Sequence, residues 1–410
     1  MIPETPSVSA TATPVARRRG SVPRWVVALF PLALLAGLIT VILRTGVPGI
    51  EPPEGAPPIE RLVIERASLD AHGIQLAVLN DGPDPVTIAQ VTVDDAYWAF
   101  TAQGGQTLKH LGRMTIAIPY PWVAGEAHLV KLVTSTGTTF EHEIAVAVET
   151  PRADGRHLLA FTLVGVYVGV IPVALGLLWF PLVSRLGRTG IDVLLALTIG
   201  LLVFLFVDTA HEGIEAASTL PGSYQGAALF FGAAALAYLA LESFGAWLRA
   251  RRSRAKQVGS PGSVLALLIA TGIGLHNFGE GLAIGAAFAL GEAALGTLLL
   301  IGFTLHNTTE GLAIIAPIAK ERPSLGALVK LGLIGGLPTI AGAWAGGLVY
   351  SPVLAVLFLG LGAGAIAQVV WQIGRQVGTG SFAERFASAP ILSGLIAGFV
   401  IMLATGMLVG

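Results

Sequence analysis

The stretch 263–290, SVLALLIATGIGLHNFGEGLAIGAAFAL, contains 28 residues and only one formally charged side chain, that of Glu280. About 20 helical residues cross a bilayer core that is about 30 Å thick, so this stretch is long enough to span it. His276, Asn277 and Glu280 interrupt the apolar run near its middle. The stretch therefore predicts a membrane helix with a polar group at its centre.

The same polar pattern returns 30 residues later, in the apolar stretch 293–319. HNFGEGLAI at 276–284 is matched by HNTTEGLAI at 306–314, and Gly291 and Glu292 mark a tight turn between the two stretches. His and Glu four residues apart lie on one helix face. We therefore expect two antiparallel helices whose imidazoles, carboxylates and amide oxygens meet near the middle of the membrane.

Ionisable groups inside a bilayer are costly and by default mark a functional site. One H-x-x-x-E pair alone would equally fit a polar contact between neighbouring helices, but its repetition favours a metal site. Imidazole and carboxylate ligands suit Zn²⁺, Fe²⁺ or Mn²⁺, and two carboxylates offset the charge of the ion. We predict a divalent transition metal as substrate, zinc first and also iron, manganese or cadmium, with no organic cofactor.

Composition supports a membrane protein, since 54% of the 410 residues are hydrophobic and only 12% are charged. Soluble proteins carry about 25% charged residues. The net charge of −1 argues against a nucleic-acid partner, which needs a concentrated basic face. The chain has no cysteine, which excludes disulfides and thiolate metal sites.

Eight apolar helices are predicted after residue 157, and they are numbered here as spans one to eight. Their ranges are 157–181, 190–211, 226–248, 263–290, 293–319, 325–349, 352–374 and 389–409. Alternate loops carry eleven Lys and Arg residues, whereas the loops 216–225, 291–292 and 350–351 carry none. The positive-inside rule assigns the eleven charges to the cytoplasm. We therefore predict an inner (plasma) membrane protein with an external carboxyl terminus.

The segment before the spans divides into four predicted parts. Residues 1–24 are a disordered basic cytoplasmic tail, 25–43 an apolar anchor helix and 44–58 a Pro-rich linker. A cleaved signal peptide is the alternative for the anchor, although no small-x-small cleavage site follows it. Residues 59–150 hold seven segments of alternating apolar and polar residues, which predict an external immunoglobulin-like β-sandwich with an unidentified external partner.

The two nine-residue motifs resemble the fourth- and fifth-span signatures of ZIP (zinc/iron permease) transporters, usually written HNxPEG. The resemblance covers the predicted core 157–410 and not residues 1–156. It implies an α-helical polytopic membrane protein with an eight-helix core, to which this chain adds an anchor helix and the β-sandwich. It also implies a metal site at the midpoint of transport. The matching residues are His276, Asn277, Glu280, His306, Asn307 and Glu310.

The end of span two resembles another segment of the family, HxxPEA. Here it reads His211-Glu212-Gly213-Ile214-Glu215-Ala216, with Asp208 one turn earlier. The resemblance implies an access site formed by His211, Glu215 and Asp208. A solvated helix end is the alternative interpretation of these residues.

The sequence departs from the family pattern at three places. Gly279 and Thr309 replace the motif proline, and 325–349 contains no Asp or Glu that could bind a second metal. Gln368 and Gln372 stand where acidic residues often close the seventh span. Because these residues are replaced, the resemblance does not imply a second metal position or the family's exit route for this chain.

We interpret the chain as a ZIP-like permease that carries divalent metal towards the cytoplasm, and not as an enzyme. Its expected partners are metal ions and the lipid bilayer, and a homodimer is compatible with the sequence. An intramembrane metal-dependent hydrolase is the alternative, with Glu280 or Glu310 as general base. A metal-sensing receptor is a third interpretation, but no effector segment in the cytoplasmic loops supports it.

Overall fold

The computed structural model describes residues 24–45, 57–254, 261–290, 293–349 and 351–409. The chain divides into two compact units, Met1–Pro58 and Ile59–Gly410. The first unit contains one described helix, Arg24–Thr45, which includes the predicted anchor. The predicted basic tail, apart from Arg24, and most of the predicted linker lie outside the described residues, so these predictions stay predictions.

The second unit begins with a region of antiparallel β-structure. Its strands are β1 Leu62–Asp70, β2 Gly73–Asn80, β3 Val86–Val93, β4 Ala96–Trp98, β5 Thr101–Gln103, β6 Thr107–Leu108, β7 Arg113–Ile118, β8 His128–Thr134 and β9 Thr139–Ile144. One sheet has the order β1-β2-β7-β5, and the other has the order β4-β3-β8-β9 with β6 paired to β3. Seven of these nine strands correspond to the predicted segments. The other two, β5 and β6, are only three and two residues long, too short to show an alternating pattern.

The inner faces of the two sheets form one apolar core. Alternate residues of β2 and β8 point into it, including Leu76, Val78, Val130 and Leu132, which are fully buried. Side chains with a two-residue period point to one face of a strand, which explains why this pattern could be recognised in the sequence. In this cysteine-free chain the core rests on aliphatic packing.

Seven helices among the described residues are long and apolar enough to cross a membrane, which indicates an integral membrane protein. They are spans one to seven, with the bounds Gly155–Val183, Arg188–Thr219, Gly222–Arg251, Gly262–Ala289, Leu295–Ile318, Leu325–Val349 and Pro352–Gly374. The predicted span eight corresponds to the helix Ala389–Val409. Its described apolar stretch, Ala389–Ala404, is shorter than the seven, as is Leu29–Ile42 in the first unit.

Two spans are irregular in the middle. Span one contains a π-helical turn, Val166–Val170, directly before Pro172. Span six consists of two helices, Leu325–Gly336 and Pro338–Val349. Proline lacks the amide hydrogen that would continue the helical hydrogen bonds, so each proline disturbs the helix on its amino-terminal side. Both irregular segments lie next to the repeated motifs, as described below.

Candidate metal centre

A glycine follows the glutamate of each motif and brings its helix into close contact with an irregular span. A Cβ atom at Gly281 of span four would lie 2.1 Å from the carbonyl oxygen of Thr339 in span six. A Cβ atom at Gly311 of span five would lie 2.3 Å from the carbonyl oxygen of Val173 in span one. Small residues allow such backbone contacts between membrane helices. The motif glycines therefore fix the positions of the neighbouring glutamates along their helices relative to spans six and one.

The first motif and the second meet at a buried cluster of two imidazoles and one carboxylate. The Nε2 atom of His276 donates to Oε1 of Glu280 at 3.0 Å, and Nε2 of His306 donates to the same oxygen. The side chains of His276, Glu280 and His306 each offer one metal-ligating atom, and these atoms lie within 4.8 Å of one another. The three residues expose only 6%, 4% and 6% of their surface. Their arrangement is that of three convergent ligands.

The two motif asparagines connect the cluster to the irregular spans. Nδ2 of Asn307 donates to Oε2 of Glu280 and to the carbonyl oxygen of Val168, both at 2.9 Å. Nδ2 of Asn277 donates to the carbonyl oxygen of Gly335 at 3.1 Å. Val168 lies in the π-helical turn of span one, and Gly335 lies just before the break in span six. Each asparagine thus satisfies a backbone acceptor where its neighbouring helix is irregular.

Several oxygen atoms of the motifs have no hydrogen-bond donor among the described residues. They are Oδ1 of Asn277, Oδ1 of Asn307 and both carboxylate oxygens of Glu310, and all are buried. A buried acceptor without a partner costs about 1–3 kcal/mol, and more when it is charged. No lysine or arginine side chain is buried in the described part of the chain. These unpaired oxygen atoms are therefore suited to bind a cation that comes from outside the protein.

Two small cavities adjoin the cluster. The first, called here the Asp208 cavity, has a volume of about 20 Å³ and is lined by Asp208, Glu212, His276 and Glu280 among others. The second, the Glu310 cavity, has a volume of about 10 Å³ and is lined by His306 and Glu310 with residues of span two. A volume of about 10–15 Å³ accommodates one water molecule. Each cavity is therefore of the size of a single water molecule or a bare ion.

The predicted access residues are only partly brought to this centre. Asp208 lines the Asp208 cavity, whereas His211 and Glu215 are exposed and do not line it. Glu212 lines it instead, and the sequence analysis did not identify this residue. Glu212 lies four residues after Asp208, so the helical spacing of two acids was the signal that could have identified it.

The structure also places a carboxylate beside the two glutamines of span seven. Oε2 of Glu242 in span three accepts hydrogen bonds from Gln368 at 3.1 Å and Gln372 at 2.7 Å. Oε1 of Glu242 lies 3.5 Å from Arg249 and 4.0 Å from Arg375. The acid that span seven lacks is therefore present on the neighbouring span. Because a single glutamate gives no repeated pattern, the sequence alone did not indicate that Glu242 pairs with these two glutamines.

Comparisons with known proteins leave the chemistry of the site as the main guide to function. No family model matches the chain, and no curated protein matches it. The resemblance to ZIP permeases therefore stays a prediction from the sequence motifs.

Proposed function

We propose that the chain is a ZIP-like permease that carries divalent transition-metal cations across the membrane towards the cytoplasm. The cluster of uncompensated buried acceptors around His276, Glu280 and His306 is the observation that carries this proposal. Two imidazoles with carboxylates are ligands for Zn²⁺ and also for Fe²⁺ or Mn²⁺. A ligand set without thiolates favours release of the ion as well as its capture.

The charge of the site supports a single metal ion. Within the two motifs, Glu280 and Glu310 provide two negative charges, which balance one divalent cation, while Asp208 and Glu212 line the adjoining Asp208 cavity. Span six contributes the neutral side chain of Thr339, whose buried Oγ1 also has no partner among the described residues. A second divalent ion bound to the same two glutamates would leave about two unbalanced positive charges in a medium of low dielectric constant. The midpoint therefore holds one metal strongly.

The placement of the two motifs supports transport over hydrolysis. Span four contacts span six through Gly281, and span five contacts span one through Gly311, so the two copies have equivalent neighbours. One small cavity adjoins the first glutamate and another adjoins the second. Transporters commonly place a substrate site between repeats that have opposite orientations. A hydrolase would need one open ligand position with a water molecule and a base, which does not require two equivalent copies.

The β-region supports a finer assignment, an immunoglobulin-like sandwich. In that fold, strands A, B, E and D form one sheet, and strands C, F and G form the other. The order β1-β2-β7-β5 corresponds to A-B-E-D, and β3-β8-β9 corresponds to C-F-G with β4 as an added edge strand. With the basic loops in the cytoplasm, this domain lies outside the cell, in line with an inner-membrane location.

Uptake of zinc into proteoliposomes tests the proposal, with iron, manganese and cadmium as further substrates. Glu280→Ala and Glu310→Ala should each reduce uptake by at least tenfold, because each removes a ligand and a neutralising charge. The control is Glu149→Ala, which removes an exposed carboxylate of the β-region and should leave uptake unchanged. Normal uptake by both site variants would refute the metal-site assignment. Retention of tightly held zinc through purification, without uptake, would instead favour the hydrolase.

A further inference from the structure

A large cavity lies between the β-region and the ends of the membrane helices. This interdomain cavity has a volume of about 720 Å³. It is lined by β1 and β9, by the loop between spans two and three, by the end of span four and by the start of span seven. Its charged lining consists of Glu65, Glu143, Arg66 and Arg113. Two of these charges are negative and two are positive.

Direct contacts hold the β-region over this cavity. The carboxylate of Asp81 accepts hydrogen bonds from the amides of Gly222 at 2.9 Å and Ser223 at 3.1 Å. Burial alone would raise the pKa of Asp81, but the hydrogen bonds from Ser223 and Gly222 hold it below its usual range. The hydroxyl of Tyr224 donates to Glu65 at 2.8 Å, and Glu65 also pairs with Arg113. The beginning of span three is therefore fastened to the β-region.

The helix faces that line the interdomain cavity also line the Asp208 cavity. Thr219 lies seven residues after Glu212 on span two, and Leu290 lies seven residues after Ala283 of span four. On span seven, Leu354 lies four residues before Phe358. Residues four or seven apart share one face of a helix, and seven residues extend for about 10 Å. The interdomain cavity thus continues the Asp208 cavity along the same three helices.

Three acids and a threonine form a row on span two between the two cavities. Asp208, Glu212, Glu215 and Thr219 follow one another at intervals of four, three and four residues. These intervals place all four on one side of the helix. Glu215, which does not line the Asp208 cavity, lies at the height between the two cavities. Glu215 is not part of the cluster of His276, Glu280 and His306, but its position in the row places a carboxylate between the two cavities.

An apolar cluster lies at the same height as Glu215, and its buried members line neither cavity. Its buried members are Ala217, Phe230, Val356 and Ala363, from spans two, three and seven. Leu220 and Leu359 pack against it from the two sides. Leu220 lines the interdomain cavity, and Leu359 lines the Asp208 cavity. Leu220 and Leu359 therefore link the linings of the two cavities through this cluster.

We propose that the interdomain cavity is the outer vestibule of the metal path, with the β-region as its roof. This inference rests on the proposed transport function. A divalent ion with six water molecules of about 30 Å³ each occupies roughly 180 Å³, so the cavity admits the hydrated ion. Burial lowers the pKa of His142, so the imidazole that lines the vestibule is uncharged at neutral pH. Metal enters hydrated under the β-region and loses water along the acids of span two.

Cysteine modification tests the vestibule in this naturally cysteine-free chain. Ala145→Cys and Ala289→Cys place a thiol on the β-region side and on the membrane side of the cavity. A bulky, impermeant methanethiosulfonate reagent should reduce zinc uptake by each variant at least fivefold. Ser135→Cys, an exposed position away from the cavity, is the matched control and should keep its uptake after complete labelling.

Labelling is measured by mass shift, so each outcome is informative. Full modification at both cavity positions with unchanged uptake would overturn the vestibule, and so would failure of both thiols to react, because a water-filled path must admit the reagent. Ala67→Cys or Val353→Cys replaces any variant that has lost uptake before labelling. If the unmodified wild type itself takes up none of the metals, the transport function fails and not the vestibule.

Discussion

The two copies of the motif have nearly the same sequence but different hydrogen bonds. Glu280 accepts hydrogen bonds from His276, His306 and Asn307, whereas neither oxygen of Glu310 has a donor among the described residues. The carboxylate of the first copy is satisfied, and the second copy provides an uncompensated carboxylate beside it. The repeat in sequence therefore does not produce a repeat in bonding.

Under the proposed transport function, this difference lets one site serve both the binding and the movement of an ion. A satisfied network keeps its geometry without metal, which holds His276 and His306 ready as ligands. An unpaired buried carboxylate is costly and attracts a cation. The arrangement predicts that the protein stabilises the cluster through Glu280 and gains metal affinity through Glu310.

The largest expected effect is a difference in protein stability between variants of Glu280 and variants of Glu310. Glu280→Ala leaves three buried donors without their acceptor, which should cost about 3 kcal/mol or more in the free energy of unfolding. Glu310→Gln removes a buried unpaired charge and should leave the metal-free protein equally or more stable. Thermal unfolding of both purified variants without metal measures this. Equal destabilisation by the two changes would show that the copies are bonded alike.

A smaller contrast concerns the asparagines. Asn307 donates to both Glu280 and Val168, whereas the described bond of Asn277 goes to Gly335 alone. Asn307→Ala should therefore reduce zinc uptake more than Asn277→Ala, with an effect of several-fold against about twofold or less. Initial rates at several zinc concentrations measure the two effects. The reverse order would mean that the second motif does not orient the carboxylate of the first.

The smallest effect is expected at Asp81, a satisfied carboxylate outside the membrane. Asp81→Asn should weaken the contact with Gly222 and Ser223 by no more than about 1 kcal/mol, because the group is partly solvated. The pKa of Asp81 is lowered in the folded protein. Its contribution is therefore present above the ordinary pKa of 3.8 and is lost as the pH falls through the lowered value. Thermal unfolding at pH 7 and at a pH below this lowered value should show a variant difference only at the higher pH.

The sequence predicted the parts of the fold and of the site that depend on repetition. The HNxxEG pattern appears twice, and the structure brings His276, Glu280 and His306 together. The alternation within β2 and β8 likewise indicated the strands before the sheets were known. In both cases a regular spacing translates directly into one face of an element.

Features that depend on a partner could not be predicted from the sequence. The unequal bonding of Glu280 and Glu310 follows from which side chains reach them across helices, and the two motifs alone are almost identical. The glutamate that faces Gln368 and Gln372 comes from span three, far away in the chain. The hydrogen bond from Gly222 to Asp81 joins the start of span three to the β-region, and the sequence patterns of these two regions are unrelated.

Anomalous X-ray scattering from the zinc-loaded protein tests the central claim most directly. The account predicts one zinc ion about 2.0–2.2 Å from nitrogen and oxygen ligands, with His276, Glu280 and His306 among them and Glu310 completing the charge balance. A metal ion bound away from these residues would contradict the site. Two fully occupied ions bridged by Glu280 and Glu310 would contradict the single-metal charge balance.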